Sequence, residues 1–122
     1  MPEITKASDT DFIRFFKLPG LETWWTGYCV KDGKLVKAIA GVVFGDDGRY
    51  FAFMDLRGAG RFPLVFRRIW RFLNHELQEH GVEELYAVCD EAYPNARKFL
   101  DRLGFEETSE VIGKDKVWIW RA

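Results

Sequence analysis

The sequence predicts an α+β fold in one domain spanning residues 1–122, with about seven strands and three helices. Short runs of strand type recur along the chain and are separated by turn residues. Two segments, 62–80 and 94–103, instead repeat apolar residues with helical spacing. With 122 residues, 48% of them hydrophobic, the chain has the size of a single domain and can bury a core.

Strands are predicted where β-branched, aromatic and other apolar residues lie between turn residues. They are expected at residues 4–7, 28–31, 34–44, 50–54, 85–89, 108–112 and 116–120. The dipeptide Asp32-Gly33 favours a two-residue hairpin turn between the second and third of these strands. The third strand is almost continuously apolar from Val36 to Phe44, which is typical of a central strand covered on both faces.

Three helices are predicted from helical spacing and from residues typical of helix ends. Ser8 is suited to cap the first helix, and Pro19-Gly20 ends it. The second helix carries an apolar stripe, with a basic side opposite. The stripe consists of Phe62, Phe66, Ile69, Trp70, Leu73 and Leu77, and the basic side of Arg67, Arg68 and Arg71. After the third helix, Gly104 can adopt the left-handed conformation that returns Phe105 to Leu100.

The most informative segment is Arg57-Gly58-Ala59-Gly60-Arg61, between a predicted strand and a predicted helix. Glycines let the backbone approach a ligand closely, and the amide groups that open the next helix then face an anion such as a phosphate. Gly-x-Gly is also common in tight turns that bind nothing, so the loop alone leaves both interpretations open. About forty residues later, a second motif closes the short helix 94–103 with Gly104-Phe105.

These two motifs, in this order and spacing, resemble the GCN5-related N-acetyltransferase (GNAT) superfamily. The resemblance covers roughly residues 51–105, and the N-terminal third is similar in topology only. In the family, the loop pattern Gln/Arg-x-x-Gly-x-Gly/Ala binds the pyrophosphate of acetyl-coenzyme A. Arg57 and Gly60 match its first and fourth positions, whereas Phe62 stands at the last.

The second family pattern is Ala-x-x-Leu/Phe-Tyr-x-x-x-Gly-Phe. Ala96, Phe99 and the pair Gly104-Phe105 match it, whereas Leu100 replaces the tyrosine that often protonates the departing thiolate. The resemblance implies the acyl-CoA N-acyltransferase fold, a mixed and splayed sheet of about seven strands with three helices. The usual second N-terminal helix is expected to be shortened or missing in residues 21–26.

The resemblance implies acetyl-coenzyme A as the cosubstrate. In the family, the pantetheine arm lies between the splayed fourth and fifth strands, and a backbone N–H of the fourth strand polarises the thioester carbonyl. The implied coenzyme-binding residues are Phe53, Met54, Arg57, Gly58, Ala59, Gly60, Arg61, Phe62, Asn95 and Arg97. For Asn95 and Arg97, ordinary polarity at the start of a helix is the alternative.

The family's reaction also needs a base, because the attacking amine must lose a proton. Asp55, Asp90 and Glu91 are the acidic residues nearest the predicted splay, and each can instead be a solvated turn residue. Tyr93 is a candidate for the hydroxyl that Leu100 lacks, and an exposed turn tyrosine is its other interpretation.

The implied activity is an N-acetyltransferase in which a small-molecule or protein amine attacks the thioester directly. The alternative is a non-catalytic GNAT-like interaction or assembly protein, which Phe62 and Leu100 favour by departing from the family patterns. Trp24 and Trp25 either wall the acceptor pocket or pack in the core. Nucleic-acid binding is disfavoured because the arginines of the second helix match a solvent-facing side.

Composition argues against several other classes of protein. A net charge of -1 gives no general attraction to nucleic acid or anionic membranes. The absence of a long apolar run or a signal-peptide pattern leads us to expect a cytoplasmic protein. Cys29 and Cys89 fit buried reduced thiols. His75 and His80 do not share a helix face, so no metal site is predicted. The acceptor and the oligomeric state, including a homodimer, stay open.

Overall fold

A computed structural model describes residues 3–55, 63–90 and 96–122, without the side chains of residues 63–66. The strands are β1 (Glu3–Lys6), β2 (Trp25–Asp32), β3 (Leu35–Phe44), β4 (Tyr50–Asp55), β5 (Glu84–Cys89), β6 (Glu106–Ile112) and β7 (Asp115–Arg121). The helices are α1 (Asp9–Phe16), α2 (Pro63–His80) and α3 (Ala96–Arg102). The predicted element order is therefore confirmed.

All seven strands form one sheet in the order β1-β2-β3-β4-β5-β7-β6. Among the described pairs only β4 and β5 run parallel, so the sheet is mixed as predicted. Strand β3 lies well inside the sheet, and its alternating side chains serve two layers. Ile39 packs with Phe12 of α1, whereas Ala38 and Ala40 pack with Ile69 of α2. Helix α3 packs on the same face as α2.

Several predicted boundaries need correction. Strand β2 begins at Trp25 instead of residue 28, because Trp25, Thr26 and Gly27 pair with β3. The pairing and the packing of the Trp25 ring against Phe12 override the weak strand propensity of Gly27. Strand β1 begins and ends one residue earlier than predicted, and β6 begins at Glu106 instead of residue 108. The segment between α1 and β2 contains no helix, as expected.

The predicted helix ends at Ser8 and Gly104 are confirmed, whereas α1 ends at Phe16, before the predicted Pro19-Gly20, because Lys17 adopts the left-handed conformation (φ 55°) and caps the helix. Ser8 caps α1: its Oγ accepts from the Asp11 N–H at 3.2 Å, and the Asp11 carboxylate accepts from the Ser8 N–H at 2.9 Å. After α3, Gly104 has a φ of 93°, and the Phe105 N–H donates to the Leu100 carbonyl at 3.0 Å. Leu100 and Phe105 lie in one core cluster.

Candidate functional site

Strands β4 and β5 separate almost as soon as they meet. Their only registered pair is Phe51 with Tyr86, near the start of both strands. Beyond it, residues 52–55 of β4 pair with β3, and residues 87–89 of β5 pair with β7. We call the space between these two stretches the gap. Because every backbone carries a donor and an acceptor at each residue, the facing strand edges present hydrogen-bonding groups to the gap.

The two predicted coenzyme residues on β4 point to opposite sides of the sheet. Phe53 lies on the α1 side, with its ring centroid 5.9 Å from that of Phe12 and 6.2 Å from that of Trp25. Met54 lies on the α2 side and is 41% exposed. Gly41 of β3 makes room for Phe53, because a Cβ there would lie 2.6 Å from the ring. The sheet therefore places Phe53 and Met54 at the edge of the gap, and their role in coenzyme binding stays a prediction.

Strand β4 ends at Asp55, at the open end of the gap, and the predicted phosphate loop follows it in the sequence. Helix α2 begins at Pro63, and a helix N-terminus presents free amide groups to an anion. The loop residues themselves, Arg57, Gly58, Ala59, Gly60, Arg61 and Phe62, lie outside the described residues. The same holds for Glu91, Tyr93 and Asn95. For these nine residues the sequence interpretation stays a prediction.

The two described acidic candidates lie at matching places on the diverging strands. Asp55 ends β4, four residues after Phe51, and Asp90 directly follows β5, four residues after Tyr86. Asp55 is half-buried and Asp90 is exposed. At about 3.3 Å per residue, each lies about 13 Å along its strand from the closed end of the gap. The structure thus brings both to the open end.

Arg97 and Leu100 have different surroundings on α3. The guanidinium of Arg97 donates to Glu107 of β6 at 2.5 Å and lies 5.9 Å from the ring centroid of Trp118. Leu100 is only 8% exposed and belongs to the core. The position that carries a tyrosine in the resembling family is therefore filled here by a packed apolar side chain, which cannot donate a proton.

Trp24 and Trp25 pack against different layers. Trp24 stacks on His80 of α2, with ring centroids 4.0 Å apart and planes within 5°. Trp25 joins the aromatic cluster of α1, and its Nε1 donates to Asp9 at 2.9 Å. Both rings thus have packing roles, but both are half-buried and line a cavity of about 250 Å³, so the core and pocket-wall interpretations both stay open.

A polar cluster that the sequence interpretation missed closes the other end of the gap. The guanidinium of Arg49 donates to both carboxylate oxygens of Glu110, at 2.7 and 2.9 Å, and to Asp47 at 2.7 Å. It also lies 5.1 Å from the ring centroid of Phe51 and 4.7 Å from that of Tyr86. We call Arg49, Asp47 and Glu110 the Arg49 cluster. Of these three residues, only Asp47 lies in a recognisable sequence pattern, the run of turn residues Gly45-Asp46-Asp47-Gly48 before the fourth strand.

A second missed cluster attaches α2 to the N-terminal strands. The Glu76 carboxylate accepts from Lys6 at 2.6 Å, from Tyr28 at 2.9 Å and from the Thr26 hydroxyl. Burial acts to raise the pKa of Glu76, but these hydrogen bonds outweigh it and hold the pKa below its ordinary value. Burial and the hydrogen bond to Glu76 raise the pKa of Tyr28 to about 12. This cluster belongs to the helix–sheet contact and lies away from the gap.

Two further features of the described residues bear on function. Cys29 and Cys89 are buried and are not joined in a disulfide, as predicted. Within residues 3–55, 63–90 and 96–122, no group of three His, Cys, Asp or Glu side chains could hold a metal ion. None of the described helices is long and apolar enough to cross a membrane.

Solved structures of known proteins resemble this fold, whereas sequence comparison finds no match. No protein-family model and no curated protein sequence matches the chain. The GNAT domain of S. lividans PAT superposes with a TM-score of 0.71 at 13% identity, over 95% of this chain and 70% of that one. The ribosomal-protein-S18-alanine N-acetyltransferase of Escherichia coli gives 0.68 at 17% identity, over 98% and 91%.

A third neighbour was solved with a ligand. The PaiA N-acetyltransferase of Thermoplasma acidophilum, in complex with coenzyme A, superposes with a TM-score of 0.66 at 8% identity, over 80% of this chain. This chain spans 61% of that protein's length. At such low identities the comparisons establish the fold. The chain has the GNAT acyl-CoA N-acyltransferase fold, and the resemblance identified from its two motifs is confirmed at that level.

Proposed function

We propose that the protein is an acetyl-coenzyme A-dependent N-acetyltransferase. The gap is the observation that supports this proposal most: a parallel strand pair opens after one registered pair, and the next described element along the chain after β4 is helix α2, which begins at Pro63. The pantetheine arm is extended and contains amide groups, so an unpaired strand edge can bind it much as it would bind another strand. The amides at the start of α2 suit the pyrophosphate.

The chemistry of the coenzyme's two ends orients it in the gap. The anionic pyrophosphate suits the loop at 57–62, with its two arginines and two glycines. The thioester is at the far end of the pantetheine arm, so it would lie deeper, towards Phe51 and Tyr86. A backbone N–H of β4 is suited to polarise its carbonyl, because a fixed donor in a water-poor site needs no particular side chain.

Asp55 or Asp90 is proposed to take the proton of the attacking amine through a chain of bound waters. Direct contact is disfavoured because both lie at the open end, about 13 Å along their strands from the closed end. Glu91 is the third candidate base. Since Leu100 is buried and apolar, we propose that Tyr93 or solvent protonates the thiolate product.

The acceptor is proposed to be a small-molecule or protein amine in the cytoplasm, and two buried cysteines that are not joined in a disulfide are consistent with that compartment. A second function is favoured by one observation. Leu100 is part of the core, where the family pattern has a tyrosine. A protein that keeps the fold for interaction or assembly, without catalysis, would tolerate this change. Coenzyme binding separates the two proposals.

The proposal is tested by the melting temperature of the protein with acetyl-coenzyme A. At about a hundred times its dissociation constant, a ligand stabilises the native state by about 2.7 kcal/mol. For a domain of this size we expect a rise on the order of ten degrees. Pantetheine, which lacks the pyrophosphate and nucleotide, should produce little shift at the same concentration.

Two glycine variants sharpen this experiment. Gly60→Val places a branched side chain where the backbone must approach the phosphates and should abolish the shift. Gly113→Val, in the β6–β7 turn, is strained because Gly113 has a φ of 64°, so it lowers stability without touching the gap. Its coenzyme shift should persist. No shift in the folded parent protein at millimolar acetyl-coenzyme A would contradict coenzyme binding. A shift without acetylation of a broad panel of amines would favour the non-catalytic function.

A further inference from the structure

We infer that Arg49 is a positioning residue that sets the separation of β4 and β5 at the closed end of the gap, and thereby the affinity for an acyl-coenzyme A. The claim about coenzyme affinity, the coenzyme part of the inference, rests on the proposed function. The claim about strand separation, its structural part, rests only on the contacts of the Arg49 cluster.

The backbone connection between the two halves of the sheet is slight. Strands β1 to β4 form one half and β5, β7 and β6 the other, and the halves share one registered pair, Phe51 with Tyr86. By contrast, all six residues of β4 pair with β3, and all six residues of β5 pair with β7. Side chains must therefore contribute to the angle at which the halves meet.

Arg49 is placed to make that contribution. Its backbone directly precedes β4, whereas its guanidinium lies over the ring of Tyr86 on β5 and binds Glu110 on β6. The contact with Glu110 is bidentate, which fixes the direction of the guanidinium as well as its distance. Asp47 accepts from the Nε of the same guanidinium at 2.7 Å and holds the side chain from its own half of the sheet.

An irregular stretch of β6 carries the residue that binds Arg49. The register of β6 with β7 shifts between Glu107 and Val111, so Glu110 lies in an irregular stretch. The Thr108 hydroxyl donates to the Val117 carbonyl at 2.7 Å and accepts from the Glu110 N–H at 3.2 Å. These two bonds hold the irregular stretch in place. The cluster therefore connects β4 to the edge strand at the far side of the sheet.

The coenzyme part follows from the position of the cluster. The proposed thioester end lies towards Phe51 and Tyr86, and Arg49 is in contact with both of these rings. If the cluster is removed, β4 and β5 should sample several separations, and only a fraction of molecules would present the edge that the ligand fits. The apparent dissociation constant rises by the inverse of that fraction, so a fall to about one-fifth gives about a fivefold weaker affinity.

The test uses Arg49→Gln, Glu110→Gln and the double variant, in the full chain. Hydrogen exchange of the amides at 50–52 and 85–87, without ligand, reports strand separation. Calorimetry with acetyl-coenzyme A reports affinity. Arg121→Gln is the matched control, because Arg121 pairs with Glu84 at 3.6 Å within one half of the sheet. Arg49→Lys keeps the charge but not the bidentate contact, so it should give intermediate values and serves if Arg49→Gln fails to fold.

We expect faster exchange and about fivefold weaker binding in both single variants, little further loss in the double variant, and neither effect in Arg121→Gln. Unchanged exchange in Arg49→Gln would overturn the inference. Faster exchange with unchanged affinity would overturn its coenzyme part. If the parent protein binds no acyl-coenzyme A, the proposed function fails and takes the coenzyme part with it, whereas the exchange result still decides the structural part.

Discussion

Strand β4 pairs with its two neighbours in opposite ways. Its pairing with β3 has a continuous register, and Gly41 lets the Phe53 ring lie directly on β3. Its pairing with β5 has one registered pair, supplemented by a charged side chain over two rings. The sheet thus places its tight packing on one side of β4 and the edge that faces the gap on the other. The predictions below examine this difference, starting with the largest effect.

Gly41→Ala should be strongly destabilising because the closely packed pairing of β3 with β4 has no room for a methyl group. A Cβ at this position would lie 2.3 Å from the Thr26 carbonyl oxygen and 2.6 Å from the Phe53 ring. We expect a loss of about 3 kcal/mol in the free energy of unfolding, measured by urea denaturation. Gly45→Ala is the control, because its nearest contact would be 3.2 Å and its effect should be clearly smaller. Equal effects would show that β3 and β4 are less closely packed than described.

Glu76→Ala tests the polar contact that attaches α2 to the tightly packed half. Removing the carboxylate leaves Thr26 and Tyr28 without their acceptor, and an unmatched buried polar group costs about 2 kcal/mol. Chemical denaturation should show this loss. Glu79→Gln is the control, since Glu79 is exposed and pairs with the exposed His75 at 3.0 Å. A loss as large in Glu79→Gln would contradict the assignment.

The same cluster predicts a pH dependence. The pKa of Glu76 is lowered in the folded state, so its contribution to stability is present above the ordinary pKa of 4.5 and is lost as pH falls through the lower folded value. The stability difference between the parent protein and Glu76→Gln should therefore shrink in acid. The pKa of Tyr28 is raised to about 12, so its contribution disappears as pH rises from 10 through 12. The measurement is denaturation of both proteins across pH. A stability difference that stays constant from acid to base would contradict both predictions.

The smallest change in stability is expected from substitutions on the exposed side of α2, which is involved in neither of the two strand pairings. Replacing Arg67, Arg68 and Arg71 together by Gln should change stability by only about 0.5 kcal/mol, because all three are exposed. Denaturation checks this. A parent protein that binds DNA or RNA with a steep salt dependence, and loses that binding in the triple variant, would instead support a nucleic-acid function.

The sequence was sufficient for the order of elements and for several of their ends. Ser8 and Gly104 act through local backbone chemistry, so short-range patterns reveal them. The hairpin turn lies one residue later than predicted, at Gly33-Lys34, because Asp32 still pairs with Leu35. The start of β2 was misplaced because tertiary pairing, which local propensity does not report, extends it to Trp25.

The site was predictable only in part. The gap residues Phe53 and Met54 followed from the family resemblance. The Arg49 cluster did not, because Arg49 and Glu110 are 61 positions apart in the sequence and neither lies in a motif. Glu76 and Tyr28, 48 positions apart, were missed for the same reason. Long-range polar contacts depend on how the strands are ordered in the sheet, and a single sequence gives no direct sign of that order.

The central claim is that the gap between β4 and β5 binds the pantetheine arm of an acyl-coenzyme A. Amide hydrogen exchange of the parent protein, with and without acetyl-coenzyme A, tests it most directly. Binding in the gap predicts new protection of amides within residues 52–55 of β4, and little change in residues 28–31 of β2, which pair with both β1 and β3. Protection confined to other surfaces, or none at saturating acetyl-coenzyme A, would contradict the claim.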